Sequence, residues 1–232
     1  MRKITPPQIA CFTAMCIAIV AASLGGTWLL LGDLPLGRFS GVVMFACWVV
    51  IFYATAILFY RVFLRFLPLR QGPQAAGTRA EFAAQVNILF YLMIFNSLVR
   101  THFVPVPLMR LVYLALGARL GRHSYAAGAL LDPALTTMGE RSIVGHDAVV
   151  FAHVIEGDRF ELATVHIGSD VTIGAHAVVM PDVVIGDGAI VSVGAVVTKG
   201  TRIGPGEIWG GVPARRISTT EPRAHSANPH AE

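Results

Sequence analysis

Charge is scarce in this chain of 232 residues: 14% are Asp, Glu, Lys or Arg, against about 25% in a soluble domain. With hydrophobic residues at 54% and a mean hydropathy of +0.63, both an ordinary water-soluble globule and a disordered chain are excluded. Cysteine is equally sparse. Cys11, Cys16 and Cys47 fall in apolar runs, with no spacing that makes a zinc site or a disulfide framework. Acid is nearly missing from the first half: residues 1–119 hold ten Lys and Arg against Asp33 and Glu81, whereas residues 120–217 hold seven against ten. The net charge of +4 therefore belongs to the N-terminal half. A nucleic-acid partner, which requires a basic face on the folded reader, is not expected.

What the first half does have is uncharged length. No charged side chain occurs from Ile4 to Gly32, nor from Phe39 to Tyr60, and each run exceeds the roughly 20 residues that cross a hydrocarbon core. The connection from Asp33 to Arg38 allows only a tight turn, so residues 1–65 are predicted to form a transmembrane helical hairpin. A cleaved signal peptide fits the first run poorly, because the apolar stretch outlasts an h-region and a second run follows at once. Arg2 and Lys3 precede the hairpin and Arg61, Arg65, Arg70 and Arg79 follow it. The bias of basic residues to the cytoplasmic flank puts both termini in the cytoplasm, which predicts an inner-membrane location. A third uncharged run, Phe82 to Val99, contains Gln85, Asn87, Asn96 and Ser97 and is read as a helix on the interface or against the hairpin, within a linker of 66–116. The eight Arg from Arg61 to Arg122 face only Glu81, a balance suited to anionic lipid.

The second half has a period of six. Leu120, Ala126, Asp132, Met138, Val144 and Val150, then Ile167, Ile173, Val179, Ile185, Val191, Val197, Ile203 and Trp209 form a mostly aliphatic column, often followed by Gly, with Ser, Thr, Ala or Val at the fifth position. Such a period describes a chain coiling as a triangular prism with one hexad per face: aliphatic residues on the axis, small ones where the core narrows, and Gly at the corners. The predicted fold is an α-helical transmembrane hairpin followed by a left-handed parallel β-helix over 117–217, with a disordered tail at 218–232. The repeat breaks once, between Val150 and Ile167, and the break carries His153, Glu156, Asp158, Arg159 and Glu161. Segments that leave a rigid scaffold often carry function.

The hexads, together with Val191-Ser192-Val193-Gly194-Ala195-Val196-Val197-Thr198-Lys199 and the closing Gly210-Gly211-Val212-Pro213-Ala214-Arg215, resemble the hexapeptide-repeat acyltransferases, in particular the maltose, galactoside and chloramphenicol acetyltransferase branch. The lead-in at Leu116–Gly121 is also similar to membrane-linked β-helix domains at the ends of some peptide synthetases. The resemblance covers 117–217. It implies a homotrimer that moves an acetyl or longer acyl group from a coenzyme A thioester to a hydroxyl or amine. It further implies that His153 is the catalytic base, and that Ala175, Val193, Thr198, Lys199 and Arg215 meet coenzyme A in a groove between subunits. Val193 departs from the small residue usual in that family. Glu156, Asp158 and Arg159 are candidates to orient His153 or touch the acceptor. With the basic belt and the hairpin, the acceptor is expected at the membrane, as a lipid-linked sugar, glycolipid or polysaccharide precursor. Two alternatives stay open, a gamma-carbonic-anhydrase-like metalloenzyme and a non-catalytic membrane-tethered trimeric scaffold. No metal is expected, because His146, His153, His166 and His176 do not carry that class's spacing.

Overall fold

A computed structural model describes residues 3–35, 37–101 and 103–220; Arg2 of the basic flank and most of the expected tail, 221–232, lie outside them. The chain divides into two compact units, Met1–Leu98 with Ile155–Phe160, and Val99–Val154 with Glu161–Glu232.

In the first unit, α1 spans Pro6–Leu31 and α2 Ser40–Phe66. Thr5 opens α1 with a capping box, Gln8 Oε1 accepting from the Thr5 N–H at 2.7 Å, and Pro6 stands where its missing N–H costs nothing. The helices pair along their length, with the Trp48 indole N–H donating to Ser23 Oγ at 3.1 Å. Helix α3, Arg79–Phe90, begins at Thr78, whose side chain accepts from the Glu81 N–H. It runs on through a π-helical turn at Tyr91–Phe95 into α4, Asn96–Arg100. Among the described residues, three helical stretches, Pro6–Leu31, Gly37–Phe66 and Arg79–Arg100, are long and apolar enough to cross a membrane. The third differs in surroundings: 56% of its apolar window is buried in the protein, against 11% and 6% for the other two. Its polar residues account for this. Asn87 is buried and accepts from the Tyr60 hydroxyl at 2.7 Å, and Phe90 sits among Phe12, Tyr60 and Phe95 with centroids 5.4–6.2 Å apart. The third run therefore packs on the hairpin.

In the second unit α5, Val106–Leu116, ends at Gly117 in the left-handed conformation and leads directly into the coil. Helix α5 covers the first turn of the solenoid. The buried Tyr113 hydroxyl donates to Gly128 O at 2.8 Å and accepts from Leu130 N–H at 3.2 Å, while Arg110 donates to the carbonyls of Leu120, Gly121 and Ser124. The segment expected as one linker, 66–116, is thus divided, its last helix belonging with the repeats because these bonds tie it there.

The repeats form a parallel β-helix of the expected left-handed type, with three faces of short strands. One face stacks Arg119–Leu120, Thr136–Met138, Val165–Ile167, Val184–Ile185 and Arg202–Ile203. The second contains Tyr125–Ala126, Ile143–Val144, Thr172–Ile173, Ile190–Val191 and Glu207–Gly210, closed by the antiparallel Arg215–Thr219. The third contains Ala129–Leu130, Val149–Val150, Val178–Val179 and Val196–Val197. The closing strand continues two residues into the segment expected to be a tail, because its backbone pairs with Glu207 and Ile208.

Two details correct the expected prism. First, Asp132 does not stand in the axial column. Leu130 pairs with Val150 and is fully buried, so the column runs Ala126, Leu130, Met138, and the chain spends the extra residues on a corner at Asp132–Leu135. Second, the glycines after the column residues serve crowding alone. A Cβ on Gly145 would lie 2.6 Å from Ala175 N, and one on Gly174 2.5 Å from Val193 N, distances no side chain tolerates. The left-handed residue comes later in each hexad, at Asp170, His176 and Asp182 and then at Gly188, Gly194, Gly200 and Gly206. Asp and His accept that conformation more readily than most side chains.

Candidate active site

At the break, the chain leaves the third face after Val150, runs through Phe151 and Ala152, and forms a hairpin of His153–Glu156 and Arg159–Leu162 before rejoining at Val165–Ile167. Its neck is fixed, since Ala163 N–H donates to Ala152 O at 2.8 Å. His153 stands at this neck, three-quarters buried, with Phe151 at 5.7 Å between ring centroids.

The imidazole has a partner that the sequence did not reveal. His153 Nδ1 lies 2.7 Å from Asp132 Oδ2, and the Asp132 side chain is 2% exposed. The same oxygen accepts from Ala152 N–H at 2.8 Å, and Thr136 Oγ1 donates to Asp132 O at 3.0 Å. The carboxylate is therefore held by one backbone N–H, and the corner that carries it by the Thr136 hydroxyl. Burial depresses the His153 pKa, but the hydrogen bond and charge of Asp132 together outweigh it and leave the value raised above that of an ordinary imidazole. With a buried carboxylate on Nδ1, the bond holds the proton there and leaves Nε2 as the basic nitrogen. Such a pair can remove a proton from a hydroxyl or amine near neutral pH.

Glu156, Asp158 and Arg159, expected to orient the imidazole or meet the acceptor, sit at the exposed hairpin tip and belong to the first unit. The carboxylate hydrogen-bonded to the imidazole is that of Asp132, because one coil of the β-helix, rather than proximity in sequence, sets what lies beside His153. The clue was the polar residue apparently occupying an aliphatic column.

Of the residues matched to coenzyme A, Ala175 and Val193 occupy stacked corners, Gly194 N–H donating to Ala175 O at 2.9 Å. Val193 is 71% exposed. Thr198 and Lys199 lie on the next corner, and the Ala214 N–H donates to Val196 O at 2.8 Å, which brings Arg215 beside the same last coil. Lys199 is already engaged: its Nζ lies 2.6 Å from Glu161 Oε2, at the base of the hairpin. His146 and His176 meet edge to face at 6.4 Å between ring centroids, both exposed, and His166 pairs with Thr164 Oγ1 at 3.0 Å. Among the described residues, no three His, Cys, Asp or Glu side chains converge as metal ligands would.

The His–Asp pair thus stands where a hairpin leaves a parallel β-helix built on six-residue repeats. Residues 164–199 match the family model described as bacterial transferase hexapeptide (six repeats). Among solved structures the chain is similar to a hexapeptide-repeat-containing acetyltransferase from Vibrio cholerae, with 24% identity and a TM-score of 0.42 over 46% of this chain and 64% of that one. The chain thus spans less than two thirds of that protein's length. It is also similar to such an acetyltransferase complexed with acetyl coenzyme A from Vibrio cholerae O1 biovar eltor (19% identity, TM-score 0.47, 64% of this chain and 93% of that one). A third likeness is to a galactoside acetyltransferase in complex with coenzyme A (18% identity, TM-score 0.44, 58% and 81%). No curated protein sequence matches.

Proposed function

We propose that this chain is a membrane-anchored acyltransferase that moves an acetyl or longer acyl group from a coenzyme A thioester to a hydroxyl or amine of a membrane-associated saccharide or lipid-linked acceptor. The observation that carries it is the 2.7 Å pair of His153 Nδ1 and the buried Asp132 carboxylate, where the hairpin leaves the coil. The transferase hexapeptide match over 164–199 and the Thr198-Lys199 and Gly210–Arg215 sequences support the thioester as donor. The three long apolar helices support the membrane anchor, and the basic flanks support a cytoplasmic β-helix.

In this reading His153 Nε2 takes the proton of the acceptor as the acceptor's oxygen or nitrogen bonds to the acyl carbon. The carbon–sulfur bond then breaks, and the proton held on Nε2 passes to the departing thiolate. Asp132 holds the imidazolium that forms between the two steps and keeps its charge. Ala175 and Val193 give the pantetheine arm a lane along stacked corners, and Arg215 and Lys199 offer charge to its phosphates. The site is completed by a neighbouring copy in a homotrimer.

The test is thiol release from acetyl-coenzyme A by the full chain in neutral detergent, with glycolipid and saccharide acceptors. His153→Ala should lower kcat by about 10²–10⁴-fold while coenzyme A binding by calorimetry and the trimer by light scattering persist. Turnover retained in that variant removes His153 from the role. Absence of any coenzyme A binding by the wild type sinks the acyltransferase reading as a whole.

A further inference from the structure

The first unit contains a cavity of about 430 Å³ where α2 ends and α3 begins. Its lining is of two kinds. Phe66, Leu67 and Pro68 are apolar and continue the end of a helix long enough to span a bilayer, and Arg70 and Arg79 bring two positive charges. Among the described residues that line it, none is Asp or Glu. The acid closest in sequence, Glu81, accepts through Oε2 from the Gly77 N–H at 2.6 Å.

The cavity is built rather than incidental. Gln74, 2% exposed, donates from Nε2 to Arg70 O at 2.7 Å and to Gly72 O at 2.8 Å, so the loop carrying Arg70 is stapled from inside. Gly72 and Gly77, at φ +96° and +73°, provide the two reversals this loop requires. Gln74 N–H donates to Phe160 O at 2.8 Å, a further pin on the loop. Arg79 is fixed at the first residue of α3 by the Thr78 cap. Two guanidinium groups on braced segments, with apolar residues at the end of a long apolar helix, match one ligand chemistry: an anionic phosphate with a hydrocarbon chain attached. Arg is the side chain whose planar fork best fits phosphate oxygens.

We propose that this cavity binds the phosphate of a membrane amphiphile, with Arg70 and Arg79 on the phosphate and Phe66, Leu67 and Pro68 along the first carbons of its chain. The inference rests on the membrane-anchored reading above, and it gives the basic belt of that region a definite site in place of a diffuse attraction. The phosphate has two sources, the head group of an anionic glycerophospholipid or the prenyl phosphate of a lipid-linked acceptor.

The test uses the full chain in neutral maltoside micelles. Adducts are titrated by native mass spectrometry with phosphatidylglycerol, a short prenyl phosphate, phosphatidylcholine and inorganic phosphate. The wild type should hold one equivalent of phosphatidylglycerol or prenyl phosphate more tightly than either of the other two. Each arginine near a lipid phosphate is expected to contribute a factor of about five, so Arg70→Gln with Arg79→Gln should weaken binding about 30-fold. The double Arg→Lys variant, which keeps both charges and loses the forked donors, should bind between the wild type and the double Gln variant and controls for folding. Preference for the prenyl phosphate makes the cavity an acceptor subsite, and preference for phosphatidylglycerol makes it a lipid anchor. Equal binding by wild type and the double Gln variant, or phosphatidylcholine or inorganic phosphate binding as tightly as the anionic amphiphiles, overturns the proposal. His153→Ala should leave the adduct untouched. An adduct in a wild type that neither binds coenzyme A nor transfers acyl groups would refute the enzyme reading and leave the cavity standing.

Discussion

Asp132→Asn is the most informative substitution, because one interaction then has to account for two readouts. Asn keeps an acceptor for the Ala152 N–H, which Asp132 Oδ2 now engages at 2.8 Å, so the corner should hold. The variant loses the charge facing His153 Nδ1 at 2.7 Å. A hydrogen bond to a charged group contributes about 1.5–3 kcal/mol. The His153 pKa should therefore fall, toward the value set by the burial that already opposes its charge. The base form is the active one. In the wild type, kcat/KM should rise with pH through a midpoint above the ordinary imidazole value of about 6.5, and in Asp132→Asn that limb should move to lower pH. The same lost stabilisation of the imidazolium in the transition state should lower the plateau kcat by about 10- to 150-fold. Stability has its own sign. Because the folded pKa is raised, the Asp132 charge stabilises the fold fully below the ordinary imidazole value and less as pH rises through the raised one. The gap in thermal midpoint between wild type and variant should narrow over that window. A pH–rate profile of both proteins decides the matter: an unmoved or upward-shifted acid limb, or an undiminished plateau, refutes the dyad.

Removing the hydroxyl in Tyr113→Phe strands Gly128 O and Leu130 N–H in the core. It should cost about 1–3 kcal/mol, read as a fall of the β-helix thermal midpoint by about 2–10 °C. The phenol itself, its pKa pushed up to about 12 by burial against the opposing effect of Leu130 N–H, should show no ultraviolet phenolate signal below about pH 10, the ordinary tyrosine value. Gly145→Ala forces a Cβ to within 2.6 Å of Ala175 N and should destabilise by at least about 1–3 kcal/mol. Gly194→Asn, at a left-handed corner with nothing within 4 Å, should change the midpoint by little more than the assay error. Comparable losses in the two would contradict the separation of crowding from left-handedness. Lys199→Met should raise the KM for acyl-coenzyme A about five-fold with kcat retained, the loss of one charged phosphate contact at roughly 1 kcal/mol. An unchanged KM would assign Lys199 to its pair with Glu161 alone.

The parts of this protein legible in its sequence are those whose information is local or periodic. Val178-Val179 and Val184-Ile185 declare their strands because each hexad repeats one geometry, and a period needs no knowledge of which coil lies below. The hairpin is equally local, since a run without charge from Ile4 to Gly32 has one physical solution in lipid. Asp132 was harder to read for the opposite reason. It is paired with His153 by the height of one coil, and that height is altered at this corner: Leu130 stacks under Val150 at a separation of 20 residues where Ala126 and Val144 are 18 apart. A strict count of six therefore put Asp132 on the axis, among Met138 and Val144, where a carboxylate would be stranded. The structure resolves that conflict by moving the residue, not by neutralising it. The chain takes two fewer residues before Leu130 and two more after it, and the displaced carboxylate arrives against the imidazole with the Ala152 N–H to hold it. A polar residue that breaks an otherwise aliphatic column one coil before the loop insertion thus marks the partner of the loop's histidine. The same reasoning accounts for Glu156 and Asp158, which looked better placed only because they are near His153 along the chain. In a solenoid, nearness along the chain beyond a hairpin neck carries a side chain away from the coil, and nearness in space comes from the coil beneath.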